Sequence, residues 1–155
     1  MAGFTDGEGL VTITRQIRKD RPSPAYRAYV SISNTHRDVL MIFLRCYGGG
    51  IYTIHEKRRD AMGKNWADAY CWYCPISSTK QFLLDVLPYL RLKSRQANIV
   101  LQFIDKKRAF ARGKRTGRGG SSPLTEEEIS FRERLRSQVR SLNRKGRFAR
   151  IHGGG

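Results

Sequence analysis

The sequence predicts an α+β domain: a four-stranded antiparallel sheet with helices on one face and a polar, aromatic face left free. Three observations carry this. Two strictly alternating runs, separated by a proline-bearing turn, give a first pair of strands. A short amphipathic helix then precedes a second pair of strand-like runs. After residue 76 the apolar spacing turns helical to near the end of the chain.

The elements follow in order. MAGFTDGEG opens the chain and reads as the end of a short helix. Residues 10–18, LVTITRQIR, alternate, with Val11, Ile13 and Ile17 on one face and Thr12, Thr14, Gln16 and Arg18 on the other. KDRPSPA, with two prolines, is a turn or loop. Residues 26–34 alternate again: Ala28, Val30 and Ile32 face in, and Arg27, Tyr29, Ser31 and Ser33 face out. Asn34 or Thr35 is placed to cap a helix with Asp38 in its first turn and an apolar stripe of Leu40, Phe43, Leu44 and Tyr47. Gly48-Gly49-Gly50 ends it. Residues 51–58 make a third strand, 59–66 a polar connection, and 67–76 a fourth strand stopped by Pro75. Ser78 is placed to cap a helix built on Phe82, Leu83, Val86 and Leu87 and ended by Pro88. Another helix starts near Gln96 and uses Ile99, Val100, Phe103 and Ile104.

Composition then shifts. Of the net charge of +17, residues 106–155 carry +11. Residues 112–122, RGKRTGRGGSS, read as a flexible basic linker. Thr125 and Glu128 have the spacing of a capping box, with Leu124 and Ile129 as a hydrophobic staple. The helix they start bears Phe131, Leu135, Val139 and Leu142. The expected organisation is a core over 1–105, a basic linker over 106–123 and a basic helical extension over 124–155.

Thirty Lys and Arg against thirteen Asp and Glu call for a polyanion, and nucleic acid is the default partner. A membrane surface fits less well, because the basic residues lack an apolar helical face beside them. No apolar run reaches the ~20 residues that span a bilayer, and the chain opens on acids and glycines rather than on a signal sequence. Three cysteines without a disulfide spacing suit an intracellular, reducing compartment, cytoplasm, nucleoid or organelle matrix. Cys71 and Cys74 form a CxxC in a strand-like run, where the two side chains point to opposite faces, so they read as buried small hydrophobes. His36, His55 and His152 show no ligand or triad spacing.

The opening stretch carries the chemistry. As a helix, it sets Gly3 and Gly7 four apart on one face with Ala2 nearby, a surface on which a second copy of the helix can pack closely. Asp6 and Glu8 then sit at the negative end of the helix dipole, where carboxylates are misplaced. A divalent cation removes the conflict, because carboxylate and free carbonyl are hard oxygen ligands suited to Mg²⁺. A carboxylate-held metal beside a basic surface suggests metal-assisted phosphodiester hydrolysis.

MAGFTDGEG resembles, position for position, the LAGLIDADG motif of homing endonucleases. SISNTHRDVL, YGGGIY and FLLDVLPYLRLKSRQANIVLQF resemble further landmarks of that family in the right order, and SPLTEEEISFRERLRSQVRSLNRKGR its C-terminal helical extension. The likeness covers about residues 1–105, and the tail loosely. It implies an αββαββα core whose sheet forms a saddle on double-stranded DNA. One motif per chain implies a homodimer on a long pseudo-palindromic site. It implies Mg²⁺ or Mn²⁺ held by Glu8 with the Gly7 carbonyl. Asp6 matches the first acid, more structural in kind, and groups with Ala2 and Gly3 at the helix–helix contact. Lys93 matches the basic residue near the scissile phosphate, and Asn34 the polar position near the attacking water. The DNA face would comprise Thr12, Thr14, Gln16, Arg18, Arg27, Tyr29, Ser31 and Ser33, with Thr53, His55 and Lys57 on the third strand. Tyr70 and Trp72 share a face of the fourth strand and suit core and contact alike.

The chain departs from the pattern in three places. Its second acid is Glu, which keeps the ligand chemistry. Asp38 stands where some members carry a basic residue. Met1 occupies the first motif position, where members carry further helix residues ahead of it. Three functions compete: a site-specific DNA endonuclease, an RNA-binding maturase-type splicing cofactor, and a non-cleaving DNA-binding regulator. The retained Glu8 favours the first, and the basic tail keeps RNA open.

Overall fold

The computed structural model describes residues 1–17, 19, 23–55, 68–112 and 123–148. The elements are α1 (Ala2–Glu8), β1 (Gly9–Gln16), β2 (Ala25–Asn34), α2 (Arg37–Tyr47), β3 (Gly50–His55), β4 (Ala69–Tyr73), α3 (Ile76–Val86), α4 (Ser94–Arg112) and α5 (Glu126–Phe148). A 3₁₀ turn, Leu87–Tyr89, follows α3 and contains Pro88. The strands form one sheet in the order β1-β2-β4-β3, with β4 antiparallel to both neighbours. No helix among the described residues is long and apolar enough to cross a membrane.

The chain divides into two compact units. The first comprises Met1–Val11 and Tyr29–Ser94, the second Thr12–Ala28 and Arg95–Gly155. The first is built around Trp72, which is fully buried, with Phe43 of α2 and Phe82 of α3 at ring separations of 5.3 and 5.5 Å. The Trp72 indole N–H donates to the Gly48 carbonyl at 2.8 Å, so this large ring is buried without an orphaned donor. Beside it the chain turns from α2 into β3. Gly49 has φ of +93°, and a Cβ there would lie 2.1 Å from the Tyr73 carbonyl oxygen, so only glycine fits.

The second unit joins the first hairpin to the C-terminal helices. The Tyr26 hydroxyl, 107 residues away in sequence, donates to Glu133 of α5 at 2.9 Å. The Leu124 amide donates to Ser23 Oγ at 3.0 Å. The capping box is present: the Thr125 amide donates to Glu128 at 2.9 Å and the Glu128 amide to Thr125 Oγ1 at 3.2 Å. Leu135 and Val139 are buried, as their spacing implies.

Several local expectations are corrected. β1 stops at Gln16, and Ile17 is 73 % exposed rather than on the core face. The N-cap of α2 is His36, with no side-chain cap. Asn34 Oδ1 instead accepts from the His36 amide at 2.8 Å, a local turn that competes with capping. α3 begins at Ile76 behind Pro75, so Ser78 lies inside the helix. Proline's fixed φ already suits that boundary, and the Thr79 amide and hydroxyl both donate to the Pro75 carbonyl. α4 starts two residues before Gln96. Most of the expected basic linker, residues 113–122, lies outside the described residues.

Candidate active site

α1 is seven residues long and has Thr5 as its buried residue. So short a helix is not stable on its own, and its C-terminal turn is tied down from elsewhere in the first unit. The Asp6 carboxylate accepts backbone N–H bonds from Arg91 at 2.7 Å, Leu92 at 3.2 Å and Lys93 at 2.9 Å. The Lys93 ammonium in turn donates to the Asp6 backbone carbonyl. Asp6 therefore clamps the end of α1 to the three residues that lead into α4. Burial pushes its carboxyl up, but the amides of Arg91, Lys93 and Leu92 and the Lys93 charge outweigh this, and the pKa ends below the ordinary 3.8. Burial holds the Lys93 ammonium below its ordinary value, while the charges of Asp6 and Glu8 pull the other way.

Three of the expected site residues thus come together: Asp6, Glu8 and Lys93. Glu8 is the last residue of α1 and is exposed. The Gly7 carbonyl lies in the final turn, where a helix supplies no i+4 donor of its own. A Cβ added at Gly3 or at Gly7 would meet nothing within 4 Å, so this side of α1 is uncovered. Ala2 and Gly3 also line a cleft of about 430 Å³ with Tyr47, Asp85 and Tyr89. Asp6, expected at the helix–helix contact, has its carboxylate bonded to the amides of Arg91, Leu92 and Lys93. Asn34 ends β2 in the same unit, with its carboxamide oxygen engaged in the turn to His36.

The donor set suits a hard divalent cation: an exposed carboxylate and a last-turn carbonyl. Among the described residues no group of three or more His, Cys, Asp or Glu gathers into a metal site. Glu8 and the Gly7 carbonyl are the oxygen groups that the end of α1 presents. The Cys74 thiol is pushed up to about 11 by burial, with a Thr79 hydrogen bond opposing, which suits a buried hydrophobe and not a ligand.

The strand residues fall out unevenly. In the second unit, Thr14, Gln16 and Arg27 are exposed and Thr12 is half-buried, with the Thr14 hydroxyl donating to the Arg27 carbonyl at 3.3 Å. In the first unit, Tyr29 and Ser33 are half-buried, whereas Ser31 is only 5 % exposed. On β3 the register divides the residues between the two sides of the sheet, and Thr53 is exposed. Thr53 pairs with Tyr70, on the side of Ile51, Ile32 and buried Trp72; Tyr52 pairs with Cys71, on the side of Ser33. A bulge between Thr53 and His55 then resets the alternation, and the His55 backbone pairs with Ala69. Trp72 belongs to the core. Arg18 and Lys57 lie outside the described residues. Sequence reasoning missed Tyr52 and Tyr73, two further aromatic residues of the face that carries Tyr29. The signal was present in Gly50, whose missing side chain leaves room for a neighbouring ring, but it required the strand pairing to be read.

Comparison with known proteins bears on the fold. No protein-family model matches the chain. The DNA endonuclease I-CvuI of Chlorella vulgaris is 31% identical over 112 residues, 68% of this chain and 62% of that protein, so the match spans less than two thirds of the relative's length. The crystal structure of I-CvuI with the I-CreI target in 2 mM Mg, its DNA not cleaved, matches with a TM-score of 0.52 and 23% identity over 92% of this chain and 91% of that one. The LAGLIDADG homing endonuclease I-LtrWI bound to target DNA matches with a TM-score of 0.59 and 14% identity, over 88% of this chain and 42% of that one.

Proposed function

The chain belongs by its fold to the LAGLIDADG homing-endonuclease family, and on that premise we propose that it is a site-specific endonuclease cutting both strands of DNA. The observation that carries the reading is the cluster at the end of α1, where Asp6 clamps Lys93 beside the exposed Glu8. The net charge of +17 supplies the attraction to DNA.

Glu8 and the Gly7 carbonyl would hold a divalent cation, Mg²⁺ or Mn²⁺. When bound, such an ion supplies Lewis acidity and a water of lowered pKa. Lys93 contributes a fixed ammonium, held by the Asp6 carbonyl, to offset charge on a phosphate. Asn34 offers a carboxamide N–H₂ near the end of β2 for orienting water or a phosphate oxygen. A second copy of the chain would bring its own Glu8 and Gly7 carbonyl. Two copies related by a two-fold axis along the uncovered Gly3–Gly7 side of α1 would bring two Glu8 carboxylates and a DNA phosphate together. I-LtrWI is more than twice as long as the stretch it shares with this chain, which suits one chain there doing the work of two here. A two-fold assembly reads a pseudo-palindrome. The three free thiols suit a reducing compartment.

The test is cleavage of a plasmid library of pseudo-palindromic sites, with and without Mg²⁺, by the chain and by Glu8→Gln. The expected result is discrete double-strand cuts that need both Mg²⁺ and Glu8, with binding retained in the variant. Tight binding without cutting, unchanged in Glu8→Gln, would overturn the reading.

A further inference from the structure

The outer face of β2, β4 and β3 in the first unit holds a feature that the acids, the lysine and the polar strand residues leave unexplained. The register sets Ser31, Tyr73 and Gly50 in one row across the sheet, and Ser33, Cys71 and Tyr52 in the next. Both rows lie on the side opposite Trp72. Tyr52 is 47 % exposed and Tyr73 41 %, while Ser31 and Cys71 in the same rows are 5 % and 3 % exposed. Two exposed rings thus stand on a face expected to be polar.

The rings are held in place. Their centroids are 6.5 Å apart with an interplanar angle of 36°. The Tyr73 ring is seated over Gly50, where an added Cβ would come within 2.7 Å of the ring. Cys71 and Tyr29, the neighbours of the Tyr52 hydroxyl, together with burial raise the phenol's pKa. Beside the Tyr73 ring, Tyr52 adds its own exposed ring to the same face. The result is a preorganised apolar platform.

On a DNA duplex the apolar feature of the major-groove base edges is the 5-methyl group of thymine. A polar base edge set against the rings would lose its water without gaining a partner. We propose that Tyr52 and Tyr73 form a thymine-reading element, an apolar platform that contacts the 5-methyl group at one position of each half-site. The proposal rests on the DNA-cleaving reading above and adds to it a base preference and the residues that set it.

The test uses the full chain in Ca²⁺. Sites are selected from a pool of random duplexes, and each thymine of the enriched duplex is then replaced singly by deoxyuridine, which removes only the methyl group. Affinity is read by fluorescence anisotropy. One position per half-site should weaken about fourfold, the worth of one buried methyl group. Tyr52→Ala and Tyr73→Ala should be indifferent to that replacement, and Tyr52→Phe should keep the parent's response because its ring remains. Circular dichroism melts check folding; if an alanine variant unfolds, the parent and Tyr52→Phe decide alone. A parent indifferent to every deoxyuridine, or a Tyr52→Phe chain that has lost the response, overturns the proposal and leaves the endonuclease reading standing. If no site enriches from the pool, both readings fall.

Discussion

Replacing Asp6 by Asn keeps the shape of the side chain and removes its charge. Asp6 Oδ1 accepts from Leu92 and Lys93, and Oδ2 accepts from Arg91 at 2.7 Å. An Asn can keep the first two bonds, but its N–H₂ then faces the Arg91 amide, donor against donor. The Arg91 and Leu92 amides are exposed, so water recovers part of the loss. With charged hydrogen bonds near the low end of their usual worth, Asp6→Asn should cost about 1 kcal/mol and Asp6→Ala about 2. For a chain of this size that corresponds to thermal midpoints lower by about 3 and 6 °C. The pH dependence tests the cause. A depressed carboxyl contributes stability that is fully present above its unfolded value, near 3.8, and is lost as pH falls through the lower folded value. The gap in urea midpoint between the parent and Asp6→Asn should therefore be full at neutral pH and close in acid below that range. An Asp6→Asn chain as stable as the parent at neutral pH, or a gap independent of pH, would refute the clamp.

Other outcomes follow from the same structure. Gly49→Ala forces a Cβ against the Tyr73 carbonyl at a positive φ and should destabilise by about 3 kcal/mol, read by urea denaturation. Tyr47 is pushed up to about 12 by burial and then by its bond to Asp85. Asp85→Asn should bring its ultraviolet difference titration to lower pH, since the carboxylate no longer opposes the phenolate. Thr125→Ala removes the hydroxyl that accepts from the Glu128 amide and should cost about 1 kcal/mol, seen as a lower melting midpoint.

The order of elements was legible because it is written in local periodicity: alternation in 10–16 and 26–34, helical spacing in 37–47, 76–86 and 126–148. The capping box of α5 was legible for the same reason, since Thr125 and Glu128 meet within one turn. The opening MAGFTDGEG placed Glu8 at a helix end, and the structure keeps it there, exposed. Local pattern was less sure at boundaries, where a hydroxyl or amide has several nearby partners, and Asn34 used its own turn rather than the cap.

The pairing of distant segments was decided by tertiary structure. Asp6 finds its donors 85 to 87 residues later, and Tyr26 finds Glu133 107 residues later. No local spacing encodes such contacts. The outward face of β3 depends on its register with β4, and a one-residue difference exchanges Thr53 for Tyr52. Ser31 is buried for a related reason. Its row is set by pairing with Tyr73 of another strand, which local alternation does not encode. The sequence alone determined the kind of elements and the acid at the end of α1. Packing across the sheet determined which side chains meet a partner and which ammonium stands beside that acid.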